Sequence, residues 1–125
     1  KKGNYKENDA VKPVNNYAWS KLGGECAVTL YKNSLILRII MCEKPFIHNS
    51  AFHDIKTNFI FQDEVASMIP KIIDKKGIIN VGGKIQSIYN FAKKNNKNIK
   101  KKSGKKLFPL NPSMNVSKLN KILKK

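Results

Sequence analysis

The stretch that most constrains this chain is L-I-L-R-I-I-M, residues 35 to 41. It is a continuous apolar run, rich in β-branched residues and interrupted only by Arg38. Such a run reads as a parallel strand buried on both faces. It is too short to span a bilayer, which takes about 20 apolar residues. A parallel strand needs crossover elements, and helical patterns lie on both sides of this one.

Upstream, residues 1 to 16 hold Gly3, Pro13 and no apolar periodicity, and read as a loop. From Tyr17 to Tyr31, Ala18, Leu22, Cys26, Ala27 and Leu30 recur at spacings of three and four. That predicts a helix with one apolar face, capped by Asn15 or Asn16. Gly23 and Gly24 inside it each cost about 1 kcal/mol relative to Ala, so close approach of another backbone or helix is expected there. Lys32 and Asn33 make the turn into the strand.

Downstream, residues 42 to 57 read as a long irregular loop holding Pro45, Phe46, His48, Phe52 and His53, and loops of that length tend to be functional. N-F-I-F-Q (58 to 62) is a short strand. Asp63 is expected to cap a helix from Glu64 to about Lys75, with Val65, Ile69, Ile72 and Ile73 inward and a kink at Pro70. G-I-I-N-V-G-G (77 to 83) is a strand ending in a glycine turn. A helix at about 85 to 95 turns Ile85, Ile88, Tyr89 and Ala92 inward. The basic run 97 to 106 reads as a solvated loop, followed by an extended stretch from Leu107 to Pro112. The last helix, about 115 to 124, buries Val116, Leu119, Ile122 and Leu123. Helices alternating with strands mean an α/β fold with parallel strands and right-handed crossovers. At 125 residues this is at most one small domain.

The formal charge of +17 raises the question of nucleic acid. The composition argues against it. There are 24 Lys and a single Arg, whereas Arg is the usual bidentate reader of bases and phosphates. Lys, Asn and Ile together are what an A/T-rich genome over-produces, so no nucleic-acid partner is expected, and a basic module binding nucleic acid or an acidic partner stands as the alternative reading. Cys26 and Cys42 form no C-x-x-C and read as small buried hydrophobes. With no disulfide framework and no membrane span, a reducing, cytoplasmic setting is expected. His48 and His53 are five apart on a loop without H-E-x-x-H, so no metal site is expected, and no G-x-S-x-G elbow occurs.

Two tyrosines stand four residues before a lysine: Tyr17–Lys21 and Tyr89–Lys93. Residues i and i+4 share a helix face. Free tyrosine titrates near pH ~10. A nearby ammonium favours the phenolate, which makes the tyrosine a usable acid or base for carbonyl–alcohol interconversion. The lysine can also donate to sugar hydroxyls of a cofactor. Tyr89 sits on a helix whose inward face already includes Ile88 and Ala92, and reads as core. Tyr17 stands in the first turn of its helix, beside a loop and ahead of a buried strand.

The stretch P-V-N-N-Y-A-W-S-K-L-G-G-E-C-A-V with L-I-L-R resembles the Y-x-x-x-K helix and next strand of the extended short-chain dehydrogenases/reductases, in particular the dTDP-4-dehydrorhamnose reductase-like branch. F-I-F-Q-D-E-V-A, G-I-I-N-V-G-G and N-P-S-M-N-V-S-K-L-N-K-I-L resemble later segments of that family, in order. The resemblance covers almost the whole chain. It implies the C-terminal part of a Rossmann-type parallel sheet plus a small sugar-nucleotide-binding subdomain. Residues 1–41 would end the NAD(P)-binding domain and 42–125 would form the substrate-binding part. Tyr17 would be the catalytic acid/base. Lys21 would lower its pKa and hold the nicotinamide ribose. The implied cofactor is NAD(P)H, and the implied substrate a nucleotide-linked 4-keto-6-deoxysugar. Phe46, His48 and the N-V-G-G turn would contribute to the sugar-nucleotide site. The resemblance also allows a homodimer of the full-length protein, and an epimerase, dehydratase or regulatory relative that kept the fold.

The departures are equally specific. No G-x-x-G-x-x-G or G-x-G-x-x-G occurs, so the βαβ unit that seats a pyrophosphate at a helix N-terminus is not in this sequence. The 16 residues before Tyr17 contain no Ser or Thr to orient a substrate carbonyl. After Arg38 the chain reads I-I-M-C-E-K-P-F, where the family commonly has a small hydroxyl residue and then an aromatic–Gly pair. The expectation is a C-terminal portion of a reductase, carrying half of its active site and inactive when isolated.

Overall fold

The computed structural model describes residues 2–105 and 109–124. Helix α1 runs Asn16–Thr29, with Asn15 in extended backbone as its cap, its side chain accepting from the Ala18 N–H at 2.8 Å. A turn leads into β1 (Leu35–Ile39), followed by β2 (Met41–Cys42). The long loop expected at 42 to 57 contains a cis Lys44–Pro45 bond and two short strands, β3 (Ser50–Phe52) and β4 (Lys56–Thr57). Then come β5 (Ile60–Phe61), α2 (Gln62–Ile72), β6 (Gly77–Val81), β7 (Gln86–Ser87) and α3 (Ile88–Lys93). The chain closes with β8 (Lys100–Lys102) and α4 (Ser117–Leu123).

The fold is α/β, and three of the four strand pairs among the described residues are parallel. β1 pairs with β6 from Leu35↔Gly77 to Ile39↔Val81, β2 with β5, and β3 with β8. Only β4–β7 is antiparallel. Gly77 enters β6 at φ +80, a left-handed backbone that side chains rarely adopt.

Two clusters make the core. In the larger, Ile60, Val65, Ile72, Ile79, Val81 and Leu119 are buried, with Leu35, Leu37 and Ile39 packed against them. One face of the β1–β6 pair is thus closed by α2 and α4. In the smaller, Ala51, Ala92 and Ile99 are covered by Phe46, Ile88 and Tyr89. The N-terminal segment crosses the molecule as a strap. Tyr5 bridges to Met114, its N–H donating to the Ser113 carbonyl at 3.0 Å.

Several expectations need correction. Strand β1 is half-buried along its length rather than enclosed, because β6 is its only strand neighbour among the described residues. Helix α1 has no buried residue, so Cys26 is exposed rather than a core hydrophobe. Cys42 is half-buried. The cap of α2 is Phe61, not Asp63, with the Glu64 carboxylate accepting the Phe61 N–H at 3.0 Å. Pro70 lies within α2, which stops at Ile72 rather than Lys75. Proline removes one helical donor and crowds the carbonyl four residues back. Ile73 consequently falls beyond the helix and is 67% exposed. Helix α3 starts only at Ile88, leaving Ile85 outside its inward face. The basic run is not all loop, since Lys100–Lys102 forms β8 on β3, with its backbone paired while all three lysines stay exposed. Of the stretch expected to be extended from Leu107 to Pro112, Leu107 and Phe108 lie outside the described residues.

Candidate active site

Tyr17 and Lys21 lie in the first two turns of α1. Lys21 Nζ sits 5.3 Å from the centroid of the Tyr17 ring, over its face. Tyr17 is 70% exposed, so its hydroxyl is open to a ligand. The Tyr89–Lys93 pair has nearly the same geometry, with Lys93 Nζ 5.6 Å from the ring and Lys101 Nζ 5.1 Å from it. The spacing therefore produces the same local contact twice. Burial separates the two, because Tyr89 packs against the smaller core cluster while Tyr17 packs against none.

Helix α1 is tied to the sheet by one ion pair. Arg38, midway along β1, donates to both Glu25 carboxylate oxygens at 3.0 and 2.5 Å, and to the Glu7 carbonyl at 3.0 Å. Its hydrogen bonds to Glu25 raise its pKa above the ordinary guanidinium value, outweighing its partial burial. A planar five-donor cation on this strand suits the role, since one side chain clamps the helix, the strand and the N-terminal strap.

Phe46 and His48 lie elsewhere, in the segment between β2 and β3. Their rings meet edge to face at 5.5 Å. Both line an open cavity of about 570 Å³, with Met41, Phe52, Phe59 and Lys102 among its other walls. Lys102 Nζ lies 4.5 Å above the Phe52 ring, placing a cation on an aromatic wall. Burial, with help from Glu64 and Glu43, pushes the Cys42 thiol pKa up. This cavity has the character of a ligand pocket: largely apolar and aromatic, with a few polar groups. Tyr17 and Lys21 are not among its walls.

The walls Met41, Phe52, Phe59 and Lys102 are functional candidates that sequence reasoning missed. Lys102 was hidden in a charge run, and the aromatics carry no spacing signal because Phe52 lies in β3 and Phe59 in the link before β5. The N-V-G-G turn serves packing. A Cβ on Gly82 would fall 2.7 Å from the Asn58 carbonyl oxygen, and one on Gly83 2.7 Å from that of Phe59. These glycines let β6 run against the backbone that carries the cavity wall Phe59. Asn80 turns the other way and donates to the Tyr5 and Asn115 carbonyls, both at 3.1 Å. Among the described residues no cluster of three or more His, Cys, Asp or Glu is placed to hold a metal. No helix among them is long and apolar enough to cross a membrane.

No protein-family model matches the chain, and no curated protein matches it. Among solved structures, it matches the crystal structure of a hypothetical dTDP-4-dehydrorhamnose reductase from Sulfolobus tokodaii, with a TM-score of 0.82 and 28% identity. The match covers 97% of this chain and 53% of that one, so the chain spans about half the length of the structure it matches. The likeness to the dTDP-4-dehydrorhamnose reductase-like branch is thus carried by the backbone of nearly the whole chain as well as by its motifs.

Proposed function

We propose that this chain is the C-terminal part of an NAD(P)-dependent reductase of the short-chain type, acting on a nucleotide-linked 4-keto-6-deoxysugar. The observation that carries this reading is the match to a reductase structure along 97% of the chain. Tyr17 acts as the acid that protonates the oxygen of the reduced carbonyl. Lys21, on the same helix face, donates to ribose hydroxyls and holds a positive charge beside the Tyr17 ring. Residues 1–41 belong to the cofactor side of the enzyme and 42–125 to the substrate side.

The residues present fit part of a dinucleotide. Tyr17 and Lys21 offer a hydroxyl and an ammonium on an open helix face, the donor chemistry that a ribose takes. No glycine-rich strand–turn–helix is available here for the pyrophosphate. When bound, the nicotinamide supplies the hydride. This chain's residues supply the proton and hold the sugar. The cavity beside Phe46, His48 and Lys102 takes the nucleotide part of the substrate, with aromatic faces for the base and a cation for phosphate.

The test is NAD(P)H oxidation by the full-length gene product with a dTDP-4-keto-6-deoxysugar. Tyr17→Phe is expected to lower kcat by about 10²- to 10⁴-fold, the range for removing a general acid. Undiminished turnover in that variant rejects the role given to Tyr17. Interconversion of sugar epimers without net NAD(P)H consumption would assign the same site to an epimerase instead.

A further inference from the structure

Helix α1 carries Tyr17 and Lys21, yet packing does not fix where they stand. None of its residues is buried. Among the described residues no atom lies within 4 Å of where a Cβ on Gly23 or Gly24 would be, so the close approach expected there is not made. What ties the helix down is polar. Glu25, one turn beyond Lys21 and two beyond Tyr17 on the same side of the helix, takes two hydrogen bonds from Arg38 of β1.

The N-terminal strap meets the same guanidinium. Arg38 Nη1 donates to the Glu7 carbonyl at 3.0 Å, and the Glu7 carboxylate accepts the Asn80 N–H at 3.2 Å. Arg38 and Asn80 are register partners across the β1–β6 pair. The Asn80 side-chain amide also donates to the carbonyl of Tyr5, two residues earlier in the strap. From Glu7 the strap runs through Pro13 into Asn15, the cap of α1. The helix is thus held at two points, its first turn through the strap and its third turn through Glu25, and both lead to Arg38.

Asn80 is a costly way to hold a strap. It is 1% exposed, and its Oδ1 accepts no hydrogen bond from the described residues. A buried acceptor left unpaired lowers stability, whereas an apolar side chain of similar shape would not. Local rules are broken in this way where position matters more than stability.

We propose that Glu7 and Arg38 are positioning residues for the Tyr17–Lys21 pair, Arg38 through Glu25 and Glu7 through the strap that enters α1. Neither lines the cavity given to the sugar nucleotide. The inference rests on the reductase-type reading and adds the residues that hold its acid in place.

The test uses the full-length gene product with a fluorotyrosine at position 17, read by fluorine NMR. Steady-state kinetics with NAD(P)H and a dTDP-4-keto-6-deoxysugar are run on the unlabelled protein. Glu7→Ala removes the carboxylate, while Glu7→Gln keeps an oxygen that accepts the Asn80 N–H. Arg38→Lys keeps a charge beside Glu25 but loses the planar fork. Glu7→Ala and Arg38→Lys are each expected to lower kcat by about ten- to a hundredfold, as small misplacements of a catalytic group do. KM for the sugar should stay within about twofold, because the cavity walls are untouched. The fluorine resonance should shift or broaden in both variants, and Glu7→Gln should return kcat and resonance to those of the parent protein. If Glu7→Ala does not fold, Arg38→Lys decides. A lower melting temperature with kcat or the resonance unchanged would make the network structural only and overturn the proposal. So would a folded Glu7→Gln variant as impaired as Glu7→Ala. The resonance needs no turnover, so an unmoved line rejects the positioning alone, whereas full activity in Tyr17→Phe rejects the proposed chemistry alone.

Discussion

At the scale of single residues, environment rather than identity sets behaviour. The two cysteines were equivalent as sequence, yet Cys26 stands on the open helix while Cys42 is half-buried with its thiol pKa raised. Alkylation needs an accessible thiolate. Cys26 is expected to react with iodoacetamide at neutral pH several-fold faster than Cys42, measured by peptide mass spectrometry. Asp54 shows the opposite effect on an acid. Its carboxylate accepts from the Ser103 hydroxyl and from the Gly104 N–H at 2.9 Å, which lowers its pKa. The unfolded chain, with an ordinary value near ~4, takes up this proton first as pH falls. The stability from Asp54 is therefore complete above about pH 4 and is lost as pH falls through the lower folded value. Asp54→Asn should flatten the acid side of a stability-versus-pH curve without changing its neutral plateau's shape.

At the scale of elements, the glycines give the sharpest contrast. Gly82 lies where a Cβ would meet the Asn58 carbonyl oxygen at 2.7 Å. Gly82→Ala is expected to cost about 1–3 kcal/mol in urea unfolding, since β6 or the facing backbone must shift. Gly23→Ala meets nothing in this chain and should strengthen α1 by up to about 1 kcal/mol. Opposite signs for the same substitution would confirm that one glycine is used within the fold and the other is not. The existence and order of α1, β1, α2, β6, α3 and α4 were legible from periodicity and apolar runs. Their ends were not. Phe61 caps α2 because Glu64 reaches back to its N–H, a contact three residues long that Asp63 obscured as the more usual cap type. The strands β3 and β4 were illegible because each is too short for alternation to register and is fixed by partners far along the chain, β8 and β7.

At the scale of the molecule, the charge of +17 is spread over a chain with few acids. Self-repulsion of this kind destabilises the compact state and is screened by salt. Raising NaCl from about 0.02 M to about 0.3 M brings the Debye length below 10 Å. The melting temperature should rise by a few degrees, read by circular dichroism. The larger core carries most of the fold, and Ile79 in it is fully buried. Ile79→Ala is expected to cost about 2–5 kcal/mol, enough to unfold a marginal domain of this size.

The linear chain determined the class of fold. An apolar β-branched run between helical periods has few ways to bury itself other than as a parallel strand, and the Tyr17–Lys21 spacing places both side chains on one helix face whatever surrounds it. Position along the chain already set Tyr17, beside a loop, apart from Tyr89, on an inward helix face; the tertiary structure shows that both make the same lysine-over-ring contact and that only Tyr89 has a core beneath it. Only it gathered Phe46, His48, Phe52, Phe59 and Lys102 around one cavity. Among the described residues it also left α1 without a buried residue and one edge of β1 unpaired. Helical period and strand composition are local properties, fixed by neighbours three or four residues away. Burial depends on what the rest of the chain brings to each face, and no local pattern records that.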